Sequence, residues 1–265
     1  MPVSHAGKHA RTLNTGRLLM AKLTKAEAKM HAEAEQLLAK PDLTHEDKLF
    51  IFEHWQESAN HVNSAAGAFF TPFEYAMDVA LEIGQPGARV LDLCAGIGTL
   101  SYAASLRWSD LDITCVEINP AYVELGKRII PDATWIEGSI FDLPNLGHFD
   151  IAISNPPFGN IKDAGDAPRY KGREFQYKVI DIAADLADYG AFILPAGASP
   201  FRYSGAPFFD WRPERRYTQF EKDTGIRLDI GIGIDSTTYP AFHGTPVRTE
   251  VCVTDYTERE KSELV

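Results

Sequence analysis

The segment DIAISNPPF, residues 150–158, decides the predicted fold because a short apolar run leads directly into two prolines. A run of this length is typical of a strand buried within a parallel sheet. Each proline disfavours the helical region for the residue before it, so the chain should leave the strand in an extended conformation. Residues 155–158 are therefore expected at the carboxyl edge of an open α/β sheet, where ligands bind.

The side chains after this strand predict a receptor for a planar amino group. The Asn155 side-chain oxygen and the Pro156 carbonyl oxygen can accept both hydrogens of one NH2 group, and Phe158 offers a ring face. Acceptors placed outside the ring plane favour a nitrogen whose lone pair points at an incoming electrophile. A proline-rich turn without chemistry is the alternative, but the other strand ends favour the receptor.

Three strand ends upstream have the same organisation. Strands are predicted at 89–93, 113–116 and 133–136, and each is followed by a loop. Repeated strand–loop–helix units indicate an α/β fold with a doubly wound, mostly parallel sheet whose strand ends face one crevice. A further strand at 191–194 and a C-terminal antiparallel hairpin, formed by strands at 226–234 and 247–254, bring the expected sheet to seven strands.

Polar groups at these strand ends suit a ligand with an amino-acid part and a nucleoside part. Asp92 and the amides of the glycine loop 94–99 can hold an ammonium and a carboxylate, and the glycines let the backbone approach a ligand. Glu117 can accept hydrogen bonds from both ribose hydroxyls, with Ile118 against the adenine face. A dinucleotide loop would need glycine at position 101, where the chain has serine, so a nicotinamide cofactor is less well supported.

The stretch FFTP, residues 69–72, predicts another ligand contact. Pro72 fits the first turn of a helix that runs to about residue 83. The Thr71 hydroxyl and the free amides at the start of this helix suit a carboxylate. Taken alone, the stretch is only a helix cap.

The N-terminal part of the chain is predicted to be an extension of the main domain. Residues 1–40 hold seven Lys/Arg against three Asp/Glu, in a chain whose net charge is −11. Residues 1–20 are expected to be a mobile basic arm, which either contacts phosphate or is a solvated tail. Residues 21–60 should form helices that begin at Thr24 and Thr44. These helices either cover the sheet or recognise a substrate, and covering is favoured.

The second half of the chain contains a predicted lid and an insertion. Residues 159–173 are rich in Gly, Asp and Pro and are expected to move over the site, before a helix at 174–186. Basic and aromatic residues alternate in an insertion at about 196–224, which suits contact with nucleic acid. A loop packed on its own aromatic cluster is an equally good interpretation. The main domain should span 61–258, with a tail at 259–265.

The composition indicates a globular protein with one main core, because 45% of the 265 residues are hydrophobic and 24% are charged. Cys94, Cys115 and Cys252 fall in or beside predicted strands, which indicates reduced, buried thiols. Neither a disulfide framework nor a metal site is expected. The sequence has no apolar stretch long enough for a membrane span or a signal peptide, so a cytoplasmic location is expected.

The order of the motifs resembles that of a known enzyme family. FFTP, the glycine loop, the acidic strand end and NPPF follow one another as in the S-adenosylmethionine-dependent amino-methyltransferases, over about residues 67–254. Among these, the chain is similar to the adenine-N6 DNA methyltransferases of the gamma motif order. The resemblance implies a Rossmann-like methyltransferase sheet, S-adenosylmethionine as cofactor, and methyl transfer to the N6 amine of adenine in DNA. The target base would leave the stack to reach the site.

The motifs and the resemblance together assign roles to individual residues. Those expected at the methyl acceptor are Asn155, Pro156 and Phe158. Those expected to bind the cofactor are Phe70, Thr71, Pro72, Asp92, Cys94, Gly96, Gly98, Glu117, Ile118, Ser139 and Ile140. Those expected to contact the substrate are Arg169, Lys171, Arg202, Arg212 and Phe242, the last as a second stacking aromatic.

Two features depart from the family pattern. Ser139 stands where many relatives carry an Asp that binds the adenine amine of the cofactor, and Ile140 replaces an aromatic residue. The chain also lacks the separate target-recognition domain common in these DNA enzymes, so specificity should come from the insertion, the lid or a partner subunit. RNA adenine and a protein glutamine amide are alternative substrates for the same site. A cofactor- or DNA-binding subunit of a larger modification complex is a further alternative.

Overall fold

The computed structural model describes residues 24–56, 69–162, 164–240 and 247–258. Within these residues, one sheet contains the six strands β1 (Arg89–Leu93), β2 (Asp112–Glu117), β3 (Thr134–Glu137), β4 (Phe149–Ser154), β5 (Ala187–Pro195) and β8 (Thr249–Asp255). The strand order is β3-β2-β1-β4-β5-β8; the first five strands are parallel, and β8 runs antiparallel to β5. The predicted doubly wound, mostly parallel Rossmann-like sheet is therefore confirmed.

Helices cover both faces of this sheet. The helices are α1 (Lys25–Leu37), α2 (His45–His54), α3 (Phe73–Val79), α4 (Thr99–Arg107), α5 (Pro120–Ile129), α6 (Phe175–Ala183) and α7 (Arg215–Thr224). Along β1, Val90 packs with α3 and α4 on one face, whereas Leu91 packs with α6 on the other. This alternation is the period-two pattern of a strand buried on both faces. Among the described residues, no helix combines the length and apolar character required to cross a membrane.

The two N-terminal helices begin where the sequence predicts. In each, a threonine hydroxyl accepts from the third helical amide while an acidic side chain accepts from the threonine amide, which satisfies two otherwise free donors. Ile51, Phe52 and Trp55 are buried against residues of α4 and α5. The helical pair therefore packs onto the main domain. The predicted basic arm, the end of the extension at 57–60 and the tail at 259–265 lie outside the described residues.

The predicted strand at 226–234 does not form. It pairs with β8 only at the Asp229–Val253 bridge, so the described sheet has six strands and not seven, and its antiparallel edge is the pairing of β5 with β8. The Asp229 side chain accepts from the Ile230 amide, and Gly231 and Gly233 have φ values of 62° and 75°. These left-handed residues end the extended conformation, which the apolar alternation alone did not reveal.

The insertion after β5 has regular structure. It contains a short antiparallel pair, β6 (Phe201–Arg202) with β7 (Asp210–Trp211), followed by α7. Tyr217 and Phe220 of α7 are fully buried, and the Phe220 ring stacks on Tyr177 of α6 with centroids 4.6 Å apart. The insertion is therefore packed on α6.

Candidate active site

A crevice of about 310 Å³ lies at the carboxyl edge of the sheet. The strand order reverses between β1 and β4, and this switch point is where open α/β sheets bind ligands. Residues predicted to bind cofactor or methyl acceptor that line the crevice are Phe70, Thr71, Asp92, Cys94, Gly96, Glu117, Ile118, Ser139, Ile140 and Asn155. The structure thus brings together side chains from all four predicted strand ends and from the FFTP stretch.

Asn155 is held in one orientation by the FFTP stretch. Its amide nitrogen donates to the Phe69 carbonyl oxygen at 2.8 Å and to the Thr71 hydroxyl oxygen at 3.0 Å. Because a carbonyl oxygen can only accept, the contact with Phe69 fixes which end of the amide is the nitrogen. The Asn155 side-chain oxygen is consequently directed elsewhere, and it is buried without a hydrogen-bond partner among the described residues.

Asp92, at the end of β1, has a similarly unsatisfied oxygen. Its Oδ2 accepts from the Ser101 hydroxyl at 2.7 Å, whereas Oδ1 is buried without a partner in the described part of the chain. Burial, against the opposing hydrogen bond from Ser101 and with a smaller contribution from the nearby Glu117, raises the pKa of the Asp92 carboxyl to about 7. An unpaired buried acceptor costs about 1–3 kcal/mol. The arrangement is therefore suited to a cationic or hydrogen-donating ligand.

Glu117 connects the end of β2 to the glycine loop. Its two carboxylate oxygens accept from the amides of Gly96 and Asn119, each at 2.8 Å. Burial raises the pKa of the Glu117 carboxyl, and the backbone amides partly oppose this rise. Each oxygen keeps a further lone pair. Glu117 can thus shape the loop and still accept hydroxyl hydrogens from a ligand.

The glycine loop allows close packing at Gly96. This residue has a φ of 59°, and a Cβ atom there would lie 3.1 Å from the Phe70 ring. The Phe70 ring also lies 5.1 Å from Tyr122 of α5 and 5.7 Å from Trp55 at the end of α2. The helical extension therefore supports one wall of the crevice through Trp55.

Four predicted site residues lie behind the crevice wall. Pro156 is buried, Pro72 immediately precedes α3, and Phe158 packs on the apolar cluster that includes α3 and α4. Gly98 caps α4 with a φ of 86°, and a Cβ there would lie 2.9 Å from a methyl carbon of Ile130. In this structure these residues support the site and do not line it.

Several crevice residues were not predicted. Those with aromatic or polar side chains are Phe69, Thr99, Asn119, Tyr122, Phe141, Lys162 and Phe175. Ile140 stands where the family pattern has an aromatic residue, and the next residue, Phe141, supplies an aromatic ring to the crevice. Asn119 and Tyr122 lie at the start of α5, directly after Glu117. A helix that begins next to a predicted ligand-binding strand end could have indicated that these two residues reach the ligand.

The loop after NPPF, for which a lid over the site is predicted, is hydrogen-bonded to α6. The Gly159 amide donates to Gln176 Oε1 at 2.8 Å, and Lys178 Nζ donates to the Gly165 carbonyl oxygen at 2.6 Å. Residues 161, 162, 164 and 165 line the crevice. The described parts of the loop therefore form a wall of the crevice that several side chains of α6 hold in place.

Arg169, predicted to contact the substrate, instead takes part in this attachment. Its Nε lies 2.5 Å from Asp181 Oδ1, and its Nη1 lies 2.6 Å from Asp185 Oδ1. Its guanidinium is thus occupied by carboxylates of the protein. Lys171, Arg202 and Arg212 are exposed and lie outside the crevice lining, and Phe242 lies outside the described residues.

Residues 76–167 match the family model of the methyltransferase small domain. The chain is 28% identical to the release factor glutamine methyltransferase of Geobacter sulfurreducens, over 46% of this chain and 45% of that protein. It is 34% identical to the 23S rRNA (uracil(747)-C(5))-methyltransferase of Pyrococcus horikoshii, over 36% of this chain and 24% of that protein. The chain therefore spans less than half the length of these curated relatives.

The fold is also similar to that of the M protein of the type I restriction enzyme EcoKI. The TM-score is 0.51 at 16% identity, with 86% of this chain and 54% of that protein covered. The crevice fits a nucleoside linked to an amino acid, because two buried hydrogen-bond acceptors lack partners among the described residues and a glycine loop leaves room beside Phe70. Residues 76–167 thus match a methyltransferase domain, and the acceptors of the crevice fit S-adenosylmethionine as its cofactor.

Proposed function

We propose that this protein transfers a methyl group from S-adenosylmethionine to the exocyclic N6 amine of adenine in DNA. The observation that supports this most directly is the state of Asn155, whose amide nitrogen is engaged twice while its oxygen is buried and unpaired. A planar amine would complete the hydrogen bonding of this oxygen. The NPPF position at the end of β4 is where a family resemblance would place the methyl acceptor.

The protein contributes mainly orientation and electrostatics. The bound cofactor supplies an electrophilic methyl group on its sulfonium. Asn155 Oδ1 accepts one hydrogen of the target amine and directs the nitrogen lone pair toward that methyl carbon. The bound cofactor would release its methyl group with cleavage of the carbon–sulfur bond, the sulfur keeping the electron pair, and the extra amine proton would leave to water.

Neighbouring residues keep Asn155 ready for this role. Because Phe69 and Thr71 already hold its amide nitrogen, Asn155 pays no rotational cost when the amine arrives. Pro157 lines the crevice beside it and keeps the chain from bending into a helix. The acceptor is therefore fixed before substrate binds.

The other strand ends are proposed to hold the cofactor. Asp92 would accept from its ammonium, and Glu117 would accept from its ribose hydroxyls while holding the loop that contains Gly96. Ile118 lines the crevice but is 68% exposed, which is unusual for an isoleucine, and it would cover one face of the adenine.

A second candidate is methylation of a protein glutamine amide. Glutamine presents the same planar NH2 group to Asn155, and the relative from Geobacter sulfurreducens is named for such a reaction. Methylation of RNA adenine is a third. A non-catalytic subunit that binds cofactor or DNA is less well supported, since the amine receptor is intact.

The deciding experiment is nucleoside mass spectrometry of DNA and RNA from methylation-deficient cells that express the protein or its Asn155→Ala variant. N6-methyladenine in DNA that depends on Asn155 is the expected result. A signal confined to RNA would move the substrate to RNA, and no signal in either would overturn the adenine proposal. In that case, peptide mass spectrometry for methylated glutamine in the same cells tests the second candidate.

A further inference from the structure

The short hairpin in the insertion exposes three aromatic rings within four residues. Phe208 is 69% exposed, Phe209 is 43% exposed and Trp211 is 39% exposed. Large apolar side chains are usually buried, and a contiguous exposed group of them marks an interaction site. None of these rings lines the crevice, so the active site does not account for their exposure.

The turn of this hairpin is fixed to the sheet. Glu250 of β8 is fully buried and accepts from the amides of Tyr203 at 3.0 Å and Ser204 at 3.0 and 3.1 Å. Asp235 Oδ1 accepts from the Gly205 amide at 3.0 Å. The rings are consequently presented on a rigid support, which lowers the entropy lost when a partner binds.

The segment that carries the rings, residues 201–216, has an excess of basic side chains, four arginines against Asp210 and Glu214. Arg202, Arg212 and Arg215 are exposed, and none of them forms a salt bridge with a carboxylate of the described residues. Arg216 is also exposed, but it is paired with Glu174 at 3.2 Å. Unpaired arginines are notable here because the whole chain has a net charge of −11. The charge favours an anionic partner at this position.

The chain that carries these rings leaves the sheet at the same edge as the crevice. Ser154, the last residue of β4, is the register partner of Phe192, and β5 continues in the same direction to Pro195. Asn155 follows β4, and the insertion follows β5. Because paired strands are about 4.8 Å apart, the insertion starts from the strand that neighbours the one leading to the proposed amine receptor.

We propose that Arg202, Phe208, Phe209, Trp211, Arg212 and Arg215 form a docking surface for an unpaired strand of nucleic acid. Ring faces stack on exposed bases and guanidinium groups contact phosphates, a combination typical of single-strand binding. Duplex bases already stack on one another, so their faces are not available to these rings. The inference rests on the proposed function in one respect: the surface would hold the nucleotides next to the target base.

The test measures binding and not methylation. The Asn155→Ala protein is titrated with fluorescein-labelled single-stranded DNA, single-stranded RNA of the same sequence, and the corresponding duplex. Adding Phe208→Ala should weaken single-strand binding by about fivefold or more, and Phe208→Trp should retain it. Leu106→Ala is the matched control, because Leu106 is also exposed, at 46%, and lies on α4.

The arginines are tested by salt dependence. The double substitution Arg212→Gln with Arg215→Gln should reduce the slope of log affinity against log salt by roughly 1.4, since each single-strand phosphate contact contributes about 0.7. Lys127→Gln on α5, whose side chain is 49% exposed at the opposite end of the sheet, should leave the slope unchanged.

The outcomes separate this surface from the proposed function. Equal binding by Phe208→Ala and the parent protein, or tighter binding of the duplex, would overturn the docking surface even if methylation is found. Ring-dependent binding without any adenine methylation would retain the surface and overturn the proposed function. The DNA and RNA arms identify which nucleic acid the surface prefers.

Discussion

Asp92 and Asp181 are both buried carboxylates, but their surroundings are opposite. Asp181 is fully buried and accepts from the Arg169 amide, the Arg169 guanidinium and the Tyr170 amide, at 2.5–2.8 Å. Asp92 is 1% exposed, yet one of its oxygens has no partner in the described part of the chain. The comparison distinguishes a carboxylate that stabilises the fold from one suited to bind a ligand.

The same difference separates two regions of the molecule, the loop at 159–173 and the strand ends that line the crevice. In the loop at 159–173, buried polar groups are matched by protein partners on α6. At the strand ends, Asp92 and Asn155 each retain an unmatched oxygen in the crevice. A folded chain tolerates unmatched buried acceptors at a cost of about 1–3 kcal/mol each. Substitutions should therefore reduce stability in the loop and function at the strand ends.

The largest effect on stability is expected at Asp181. Asp181→Ala removes one of the two carboxylates that bind the Arg169 guanidinium and leaves two backbone amides without their partner, so the free energy of unfolding should fall by about 2–5 kcal/mol. Urea denaturation measures this change. Asp185→Ala is the matched control, because its carboxylate binds the same guanidinium but is 45% exposed, and it should cost less than about 1 kcal/mol. Equal losses in the two variants would contradict the structural role of Asp181.

Asn155→Ala should have the largest effect on catalysis. Removal of one preorganised hydrogen-bond partner of the reacting group typically lowers kcat by about 10²–10³-fold. We expect such a loss with cofactor affinity nearly unchanged, measured by transfer of labelled methyl groups and by calorimetry. Asn145→Ala, at an exposed turn residue, should retain full turnover. Normal turnover in Asn155→Ala would remove the amine receptor from the mechanism.

Glu117→Ala should weaken cofactor binding by about 1–3 kcal/mol, through lost charged hydrogen bonds and a loosened glycine loop. Calorimetry with S-adenosylmethionine measures the affinity. The control is Glu137→Ala, because Glu137 is the register partner of Glu117 on β3 but is exposed and outside the crevice. If both variants bind equally well, Glu117 does not contribute to the site.

The sequence predicts the strand ends better than the rest of the molecule. β1 was predicted with its observed bounds, and Asp92, Glu117 and Asn155 all reach the crevice, because parallel strands necessarily end at one edge. The attachment of Arg169 to Asp181 was not predicted, since a loop rich in Gly and Asp has no periodicity from which a three-dimensional partner can be read. The strand predicted at 226–234 does not form, because two glycines there adopt left-handed conformations.

The insertion shows another limit of the sequence. Its alternation of basic and aromatic residues was equally consistent with a nucleic-acid surface and with a self-packed cluster. In the structure the two interpretations divide the segment: Phe201, Tyr217 and Phe220 are buried, whereas Phe208, Phe209 and Trp211 are exposed. Burial depends on where the hairpin and α7 meet the sheet, which the local sequence does not specify.

The last prediction concerns the pH dependence of stability at Asp92. Its pKa is about 7 in the folded protein and 3.8 for an unperturbed carboxyl, so the folded state binds more protons between these values. Stability should consequently fall as the pH rises through this window and level off above about pH 7. Asp92→Asn cannot ionise and should lack this decline, so it should become more stable relative to the parent protein between about pH 4 and about pH 8.

Denaturation at several pH values, with and without S-adenosylmethionine, measures the effect. A cationic ligand at Asp92 favours the ionised carboxyl, so the cofactor should stabilise the parent protein more than Asp92→Asn at high pH, which reduces or reverses the advantage of the variant. If the stability of the parent protein and that of Asp92→Asn depend on pH in the same way without cofactor, ionisation of Asp92 does not destabilise the folded protein. Equal stabilisation of both proteins by the cofactor would show that the unpaired oxygen is not its ammonium site, and would leave Asp92 a structural carboxylate like Asp181.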